Sequence, residues 1–393
     1  MTATVGTITG WLREGRPTTV ASLIRVDGSA PHAAGAVLAV SVDGDIVGSV
    51  GGGCVDSAIV GQALEAGGRA AGPYLTEFAA DDGPWAVGPA CGGRLRVLIE
   101  SLTPEDCRGW TAIQLALADG REVARVTPVV GGRPQAPWIV EDLAGPAARL
   151  VPSTAPMRTR SGDRRAKTRD QRDAQRGDQR ATTAVRELAN AARASGVPTA
   201  AAITDEDAEL VVQVWPSPPR LIVVGADAVA VSLSELAAAA GYRVTVCDPR
   251  PLFTRSTRFP VGTSIVPGWP QDHLWAEARA GGLAGAAVVV LSHDERIEIP
   301  ALQAALSVPE LAFLGALGSR STQLRRQRQL LAGGADPPAV VRIRGPLGLD
   351  LGGREPATIA LSILSEVVAA RRRGTGRPLH DLELPLHRDP PLG

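Results

Sequence analysis

The first third of the chain alternates short apolar runs with glycine-rich turns. Residues 5–15 carry a helical period, while ThrValAlaSerLeuIleArgVal (19–26) and AlaValLeuAlaValSer (36–41) read as strands. AspGly at 43–44 is a hairpin signal leading into IleValGlySerVal (46–50). A glycine run follows, and then a helical period from Val55 to Ala66. LeuArgValLeuIleGlu (95–100) is a further strand, and residues 104–150 add a helix and a β-pair. Together these predict a mixed α/β domain over 1–150, with a mixed sheet.

The apolar pattern then stops. Residues 152–181 hold almost nothing apolar, and 151–200 reads as a basic polar linker or insertion with a short helix. The run at 158–180 is net basic, so a nucleic-acid arm is one reading, but it has no aromatic residue on which bases could stack. From Pro219 a new pattern begins. LeuIleValValGly (221–225) is a strand ending in glycine, and a helix covers 231–240. Strands follow at 243–248, 286–292 and 311–317, with helices between or after them. This alternation predicts a Rossmann-like, doubly wound parallel sheet, placed at 201–380 and followed by a tail over 381–393.

Composition narrows the chemistry. In 393 residues, 41 basic and 41 acidic side chains cancel, so no whole-chain field points to nucleic acid or membrane. Lys167 is the single lysine, preceded by Ala166 and with Ser161 six places earlier, so there is no phosphate-binding P-loop. Cys54, Cys91, Cys107 and Cys247 form no closely spaced pair, which argues against a zinc site or a disulfide scaffold. Neither a signal peptide nor a membrane span is expected, and a reducing cytoplasm is the expected location.

Two constellations could carry chemistry. In the first, Gly51, Gly52 and Gly53 lead into a helix with Cys54 at or near its N-terminus, where amides and dipole favour an anion or a thiolate. GlyProAlaCysGlyGlyArg (88–94) sets Cys91 and Gly92 in a second glycine loop. Both thiols read equally well as small buried hydrophobes. Cys107 reads as structural, and Cys247, at a strand end, fits either role.

The second constellation lies on the C-terminal edge of the parallel sheet. Gly225 ends the first strand and Asp248 the second, in the places of the turn glycine and ribose-binding acid of a dinucleotide fold. Asp227 and Ala230 occupy the remaining glycine positions of that motif, so NAD(P) is disfavoured. His293 and Asp294 could form a general-base or metal-ligand pair, or a surface pair. Gly318, Ser319 and Arg320 open an arginine-rich helix and offer amides, a hydroxyl and a guanidinium to an anion.

The motifs resemble one family. GlySerAlaProHisAlaAlaGlyAla (28–36), GlySerValGlyGlyGlyCysValAsp (48–56) and CysGlyGly (91–93) resemble the N-terminal domain of the XdhC/CoxI family. CysAspProArgProLeuPhe (247–253), ArgPhePro (258–260), SerHisAsp (292–294), GlyAlaLeuGlySerArg (315–320) and GlyProLeuGlyLeuAspLeuGly (345–352) resemble its Rossmann domain, in that order. Gly52 and Asp56 stand where the family often has Ser and Glu, and Asp227 where many members have Gly.

The resemblance implies an accessory factor that binds molybdenum cofactor, protects it during sulfuration and delivers it to an apo molybdenum hydroxylase of the xanthine dehydrogenase or carbon monoxide dehydrogenase type. It implies cofactor contacts from Cys54 and Cys91, including possible contacts to molybdenum. The implied partners are the apo hydroxylase and a cysteine desulfurase, with a homodimer expected. A cofactor chaperone rather than a turnover enzyme is the first reading. An NAD(P)-dependent oxidoreductase is the second, and a nucleic-acid-binding regulator acting through 158–180 the third.

Overall fold

Alternation along the strands decides which face each side chain buries, and one strand shows it clearly. In Arg94–Leu102 the residues Leu95, Val97 and Ile99 pack with Val55 and Ile59 of a helix. The intervening Leu98 packs on the other side, with Val129 and Val211 of a second sheet. A computed structural model of the chain describes residues 2–69, 72–79, 92–141, 143, 149–152, 183, 185–193, 197–204 and 209–383. These fall into two compact units, Met1–Ser217 and one beginning at Pro218.

The first unit holds two sheets. Sheet 1 contains β1 (Thr18–Asp27), β2 (Val37–Ser41), β3 (Ile46–Gly48), β4 (Tyr74–Ala79) and β5 (Arg94–Leu102), in the order β3-β2-β1-β5-β4. Sheet 2 contains β6 (Val123–Val130), β7 (Arg133–Pro134), β8 (Trp138–Glu141), β9 (Arg149–Pro152), β10 (Thr199–Thr204) and β11 (Glu209–Trp215). Its order is β10-β11-β6-β8-β9, with β7 on β6. Helices α1 (Thr2–Arg13) and α3 (Cys107–Ala118) share a core in which Ile8, Leu12, Trp110 and Ile113 meet. Helix α2 (Gly53–Ala66) covers the outer face of sheet 1, and α4 (185–193) packs on sheet 2 through Val185, Leu188 and Ala189.

Two expectations change here. Every described strand pair in the first unit is antiparallel, so its sheets are not mixed. The second unit starts at Pro218 rather than 201, because β11 pairs back onto β6, β10 pairs with β11, and both belong to the first unit. The basic run at 158–180 lies outside the described residues, as does the end of the tail from 384.

The second unit is a five-stranded parallel sheet of β12 (Arg220–Val224), β13 (Arg243–Asp248), β14 (Ser264–Pro267), β15 (Ala287–Val290) and β16 (Phe313–Ala316). Its order, β14-β13-β12-β15-β16, reverses direction between β12 and β15. That reversal is the crevice where ligands of such sheets sit. Both faces are covered, so its central strands are mostly apolar, as in LeuIleValVal of β12 and AlaValValVal of β15. Leu221 and Val223 face α5 (Ala228–Ala239) and α10 (Pro356–Arg372). Ile222 and Val224 face α6 (Pro270–Arg279) and α7 (Glu295–Leu306). Helices α8 (Arg320–Ala332) and α9 (Pro337–Val341) complete the unit.

A buried ion pair joins the two sheets of the first unit. Arg125 on β6 donates to both carboxylate oxygens of Glu100 on β5, at 2.7 and 2.6 Å, and to the Gln213 amide oxygen at 3.1 Å. Both charged side chains are almost fully buried. Removing one partner strands the other charge in the interior. Arg125→Met is therefore expected to destabilise the first unit by about 3–5 kcal/mol, measured by urea unfolding. A loss below about 1 kcal/mol would contradict the assignment of this pair as an interior staple.

Candidate functional site

The glycine loop before α2 is folded by its own helix. The Asp56 carboxylate accepts the Val50 and Gly51 amides at 3.1 and 3.0 Å and the Ser49 hydroxyl at 2.5 Å. The Gly51 amide expected to face a ligand is thus already taken. Gly52 and Gly53 continue with φ of 66° and 48°, left-handed values that strain any side chain. Helix α2 opens there with no side-chain cap. The amides of Gly52 and Gly53 have no protein acceptor among the described residues. Cys54, the second residue of the helix, is an exposed free thiol.

The neighbouring loops reach the same end of sheet 1. A methyl group built on Gly51 would press within 2.9 Å of Leu95, at the start of β5, and one on Gly93 would strike the Ser29 carbonyl. Gly28 and Gly93 lie side by side, where β1 and β5 pair Asp27 with Arg94. The loops at 28–36, 48–54 and 92–94 therefore converge. Gly92 is described, with φ of 76°, and Cys91 lies outside the described residues.

The remaining cysteines belong to packing. Cys107 opens α3 half-buried, with its sulfur 3.5 Å from the Thr111 hydroxyl. Cys247 is fully buried in β13, and burial, together with the charges of Glu277 and Asp248, pushes its thiol up to about 12.

At the C-terminal edge of the parallel sheet, Gly225 does what a turn glycine must. Its φ is 104°, and an added Cβ would sit 3.0 Å from the Ser292 amide of the adjoining loop. Asp248 does not stand ready for a ribose. Its side chain is fully buried, and it accepts the Ala226 amide at 2.8 Å, the Arg250 amide at 2.9 Å, and the Arg250 Nε and Nη2 at 2.9 and 2.6 Å. Burial raises the carboxyl's pKa, but the hydrogen bonds from Arg250 and Ala226 outweigh it and hold the group below the usual carboxylate range. Arg250 in turn lies over the Phe253 ring at 4.1 Å. Arg258 donates to the Ala226 and Phe253 carbonyls. These two arginines clamp the loop, a role the sequence reading missed although ArgPro and ArgPhePro flank it.

The other edge residues are spread apart in role. Asp294 caps α7 and pairs with Arg296, not with His293, and the Arg296 guanidinium and amide hold its carboxyl down to about 2. His293 is exposed beside it. Among the described residues no three His, Cys, Asp or Glu side chains form a group able to hold a metal. Ser319 caps α8 through the Thr322 amide, and Gly318 turns with φ of 144°. Arg320 is exposed, whereas Arg326, one helical face away, is buried against Glu298 and donates to the Leu317 carbonyl at 2.8 Å. Asp227 likewise caps α5 through the Ala230 amide. Of the four helix N-termini at these loops, three are closed by a side chain of their own, and that of α2 is not. No helix among the described residues is long and apolar enough to cross a membrane.

Comparison with known proteins places both units. Residues 221–367 match the model of the XdhC Rossmann domain, and residues 11–77 match that of the XdhC and CoxI family. A relative from Bacillus subtilis (strain 168), named as a probable xanthine dehydrogenase subunit, is 26% identical over 90% of this chain and 93% of its own length. "Molybdenum cofactor insertion chaperone PaoD" of Escherichia coli (strain K12) is 32% identical over 39% of this chain and 40% of its own. A crystal structure described as a xanthine dehydrogenase from Bacillus halodurans aligns over 97% of this chain and 98% of its own, with a TM-score of 0.67 and 20% identity. That likeness shows the fold.

Two measurements check this geometry. Iodoacetamide at neutral pH is expected to label Cys54 and spare Cys247 in the folded chain, read by peptide mass spectrometry; a labelled Cys247 would contradict its burial. Asp248→Asn is expected to cost about 2–4 kcal/mol at neutral pH, because it removes the charge on which four donors converge. The carboxyl's folded pKa lies below its unfolded value of about 3.9, so its contribution is present above that pH and is lost as pH falls through the folded value. Urea unfolding should show wild type and variant converging below about pH 4. An undiminished gap there would contradict the clamp.

Proposed function

The chain belongs to the XdhC and CoxI family, and on that premise we propose that it binds molybdenum cofactor as cargo, protects it during sulfuration and delivers it to an apo molybdenum hydroxylase. The observation that carries this reading is the N-terminus of α2, whose Gly52 and Gly53 amides have no acceptor among the described residues, beside the exposed Cys54 thiol. The amides suit an anion. A thiolate is a soft ligand suited to a molybdenum–dithiolene centre. Gly52, Gly53 and Cys54 would form one side of the cradle, with Gly92 on a second loop at the same end of sheet 1, and Cys91, next to it in sequence, is proposed as the second thiol. The relative named as a molybdenum cofactor insertion chaperone supports the cargo, and the xanthine dehydrogenase-named relative supports a hydroxylase as client. A cysteine desulfurase as sulfur source and a homodimer complete the proposal. The carboxylates of Asp248 and Asp227, both turned onto backbone amides, support leaving a nicotinamide role out of this reading.

Equilibrium binding of purified chain to molybdenum cofactor, with NADH and NADPH titrated in parallel, tests the reading. Cofactor binding with no nicotinamide response is expected. Cys54→Ala and Cys91→Ala should each weaken retention by about tenfold, the loss of about 1.4 kcal/mol of contact, without moving the thermal midpoint. Retention unchanged in both would remove the thiols from the cradle, and nicotinamide binding alone would overturn the proposal.

A further inference from the structure

The loop between β13 and β14, residues 249–263, joins two parallel strands with no α-helix in between. It is nevertheless held in one shape. Arg250 binds Asp248 through its Nε and Nη2, and Arg258 donates to the Ala226 and Phe253 carbonyls at 2.8 and 2.7 Å. The Phe253 amide donates to the Arg250 carbonyl at 3.0 Å, and Phe259 anchors the far end in the core. On this frame two adjacent apolar side chains stand in solvent: Leu252 is 68% exposed and Phe253 37%. The Gly268 amide donates to the Asp248 carbonyl at 3.2 Å, which brings Trp269, itself 46% exposed, to the start of the loop. A lone exposed apolar residue is ordinary surface. Neighbouring ones on a clamped loop are a feature of interaction sites.

We propose that this face of the second unit docks an extended acidic segment of a partner protein, with carboxylates set around an apolar side chain. Charge selects the segment. Residues 249–263 include three arginines and no acid. Arg250 is matched by Asp248, while Asp227 and Asp294, whose charges reach Arg250, are spent as helix caps, and Asp294 is paired with Arg296. Arg255 and Arg258 have no carboxylate within ion-pair distance among the described residues, so they leave the loop positive. The Nη1 of Arg250 and the Nε and Nη2 of Arg258 also lack a protein acceptor among those residues. Carboxylates match such guanidinium edges. Packing selects the apolar member. The Phe253 ring has the Arg250 and Arg258 guanidiniums at 4.1 and 5.3 Å from its centre, and an aromatic ring beside arginines is the composition of interface anchors. A bilayer is a poorer fit, because stable anchoring takes a buried acyl chain or a larger basic cluster. The inference goes beyond the cargo reading and does not depend on Cys54.

A labelled peptide in which glutamates flank a central Leu-Phe pair is titrated into the full chain by fluorescence anisotropy. Two control peptides carry Gln for Glu, or Ala for Leu and Phe. The acidic, apolar peptide is expected to bind below about 1 mM at low salt, and each control about tenfold more weakly. Its affinity should fall about tenfold at ~0.5 M salt, where screening shortens the reach of the charges. Leu252→Ala and Arg255→Glu both alter exposed side chains outside the clamp, so neither should move the thermal midpoint. They should weaken binding about fivefold and about tenfold respectively. Vesicles of phosphatidylserine in phosphatidylcholine should leave the chain in the supernatant on sedimentation. No binding of the acidic peptide, equal binding of either control, binding undiminished in either variant, or sedimentation with the vesicles overturns the proposal.

Discussion

A strand that ends in a glycine turn exposes backbone amides, and each of those N–H groups needs an acceptor from ligand, water or protein. This requirement governs both places where ligands could sit. In the parallel unit the protein supplies the acceptors itself. Asp248 takes the Ala226 amide of the turn after β12, Asp227 and Ser319 close α5 and α8, and Asp294 closes α7. In the antiparallel unit Asp56 satisfies Val50 and Gly51 and stops there, and Gly52 and Gly53 at the head of α2 have no acceptor among the described residues. The same kind of carboxylate thus decides, by which amides it reaches, which turn amides are satisfied from within the protein.

The clamp around Asp248 shows how a fold can keep its crevice while the acid at the strand end is committed to the protein itself. The strand order with its reversal between β12 and β15 builds the crevice of a dinucleotide fold, and Gly225 makes the close approach to the Ser292 loop that the crevice needs. The acid at the end of β13 is present too, but Arg250 two residues on folds back over it and stacks on Phe253. A carboxylate with four donors inside the protein has little left for two ribose hydroxyls. Function in such a sheet is decided by the site and not by the architecture.

Much of this was legible in the chain itself, where the determinants are local. The β–α alternation from Pro219, the AspGly hairpin at 43–44 and the glycine loop before α2 each follow from residues a few positions apart. Sheet 2 was not legible, because β11, with β10 on its other edge, pairs with β6 across the polar stretch, and nothing in the local pattern of 199–215 names that partner. Arg326 was hidden for a different reason. It sits in a helix whose sequence is mostly polar, with Arg320, Arg325 and Arg328 in the same helix, and only the tertiary partner Glu298 marks it as core. Arg250 was readable in principle, since an arginine two residues after a strand-end aspartate can return to it within one turn.

Arg326 also changes what the arginine-rich helix is for. Its guanidinium holds the Leu317 carbonyl at the end of the turn and pairs with Glu298 on α7, so it fixes the Gly318 loop from below. A buried ion pair is poor evidence for net stability, but breaking one is costly, which makes it a device for holding one geometry. Glu100 and Arg125 do the same between the sheets of the first unit. In both units the charges committed to the interior set the geometry of the loops or sheets they join. What remains exposed differs: the parallel unit presents Arg320 and His293 on closed helix ends, and the antiparallel unit presents a thiol on an open one. The asymmetry follows from a single choice of residue at each N-cap, Asp or Ser in three places and Gly52 in the fourth.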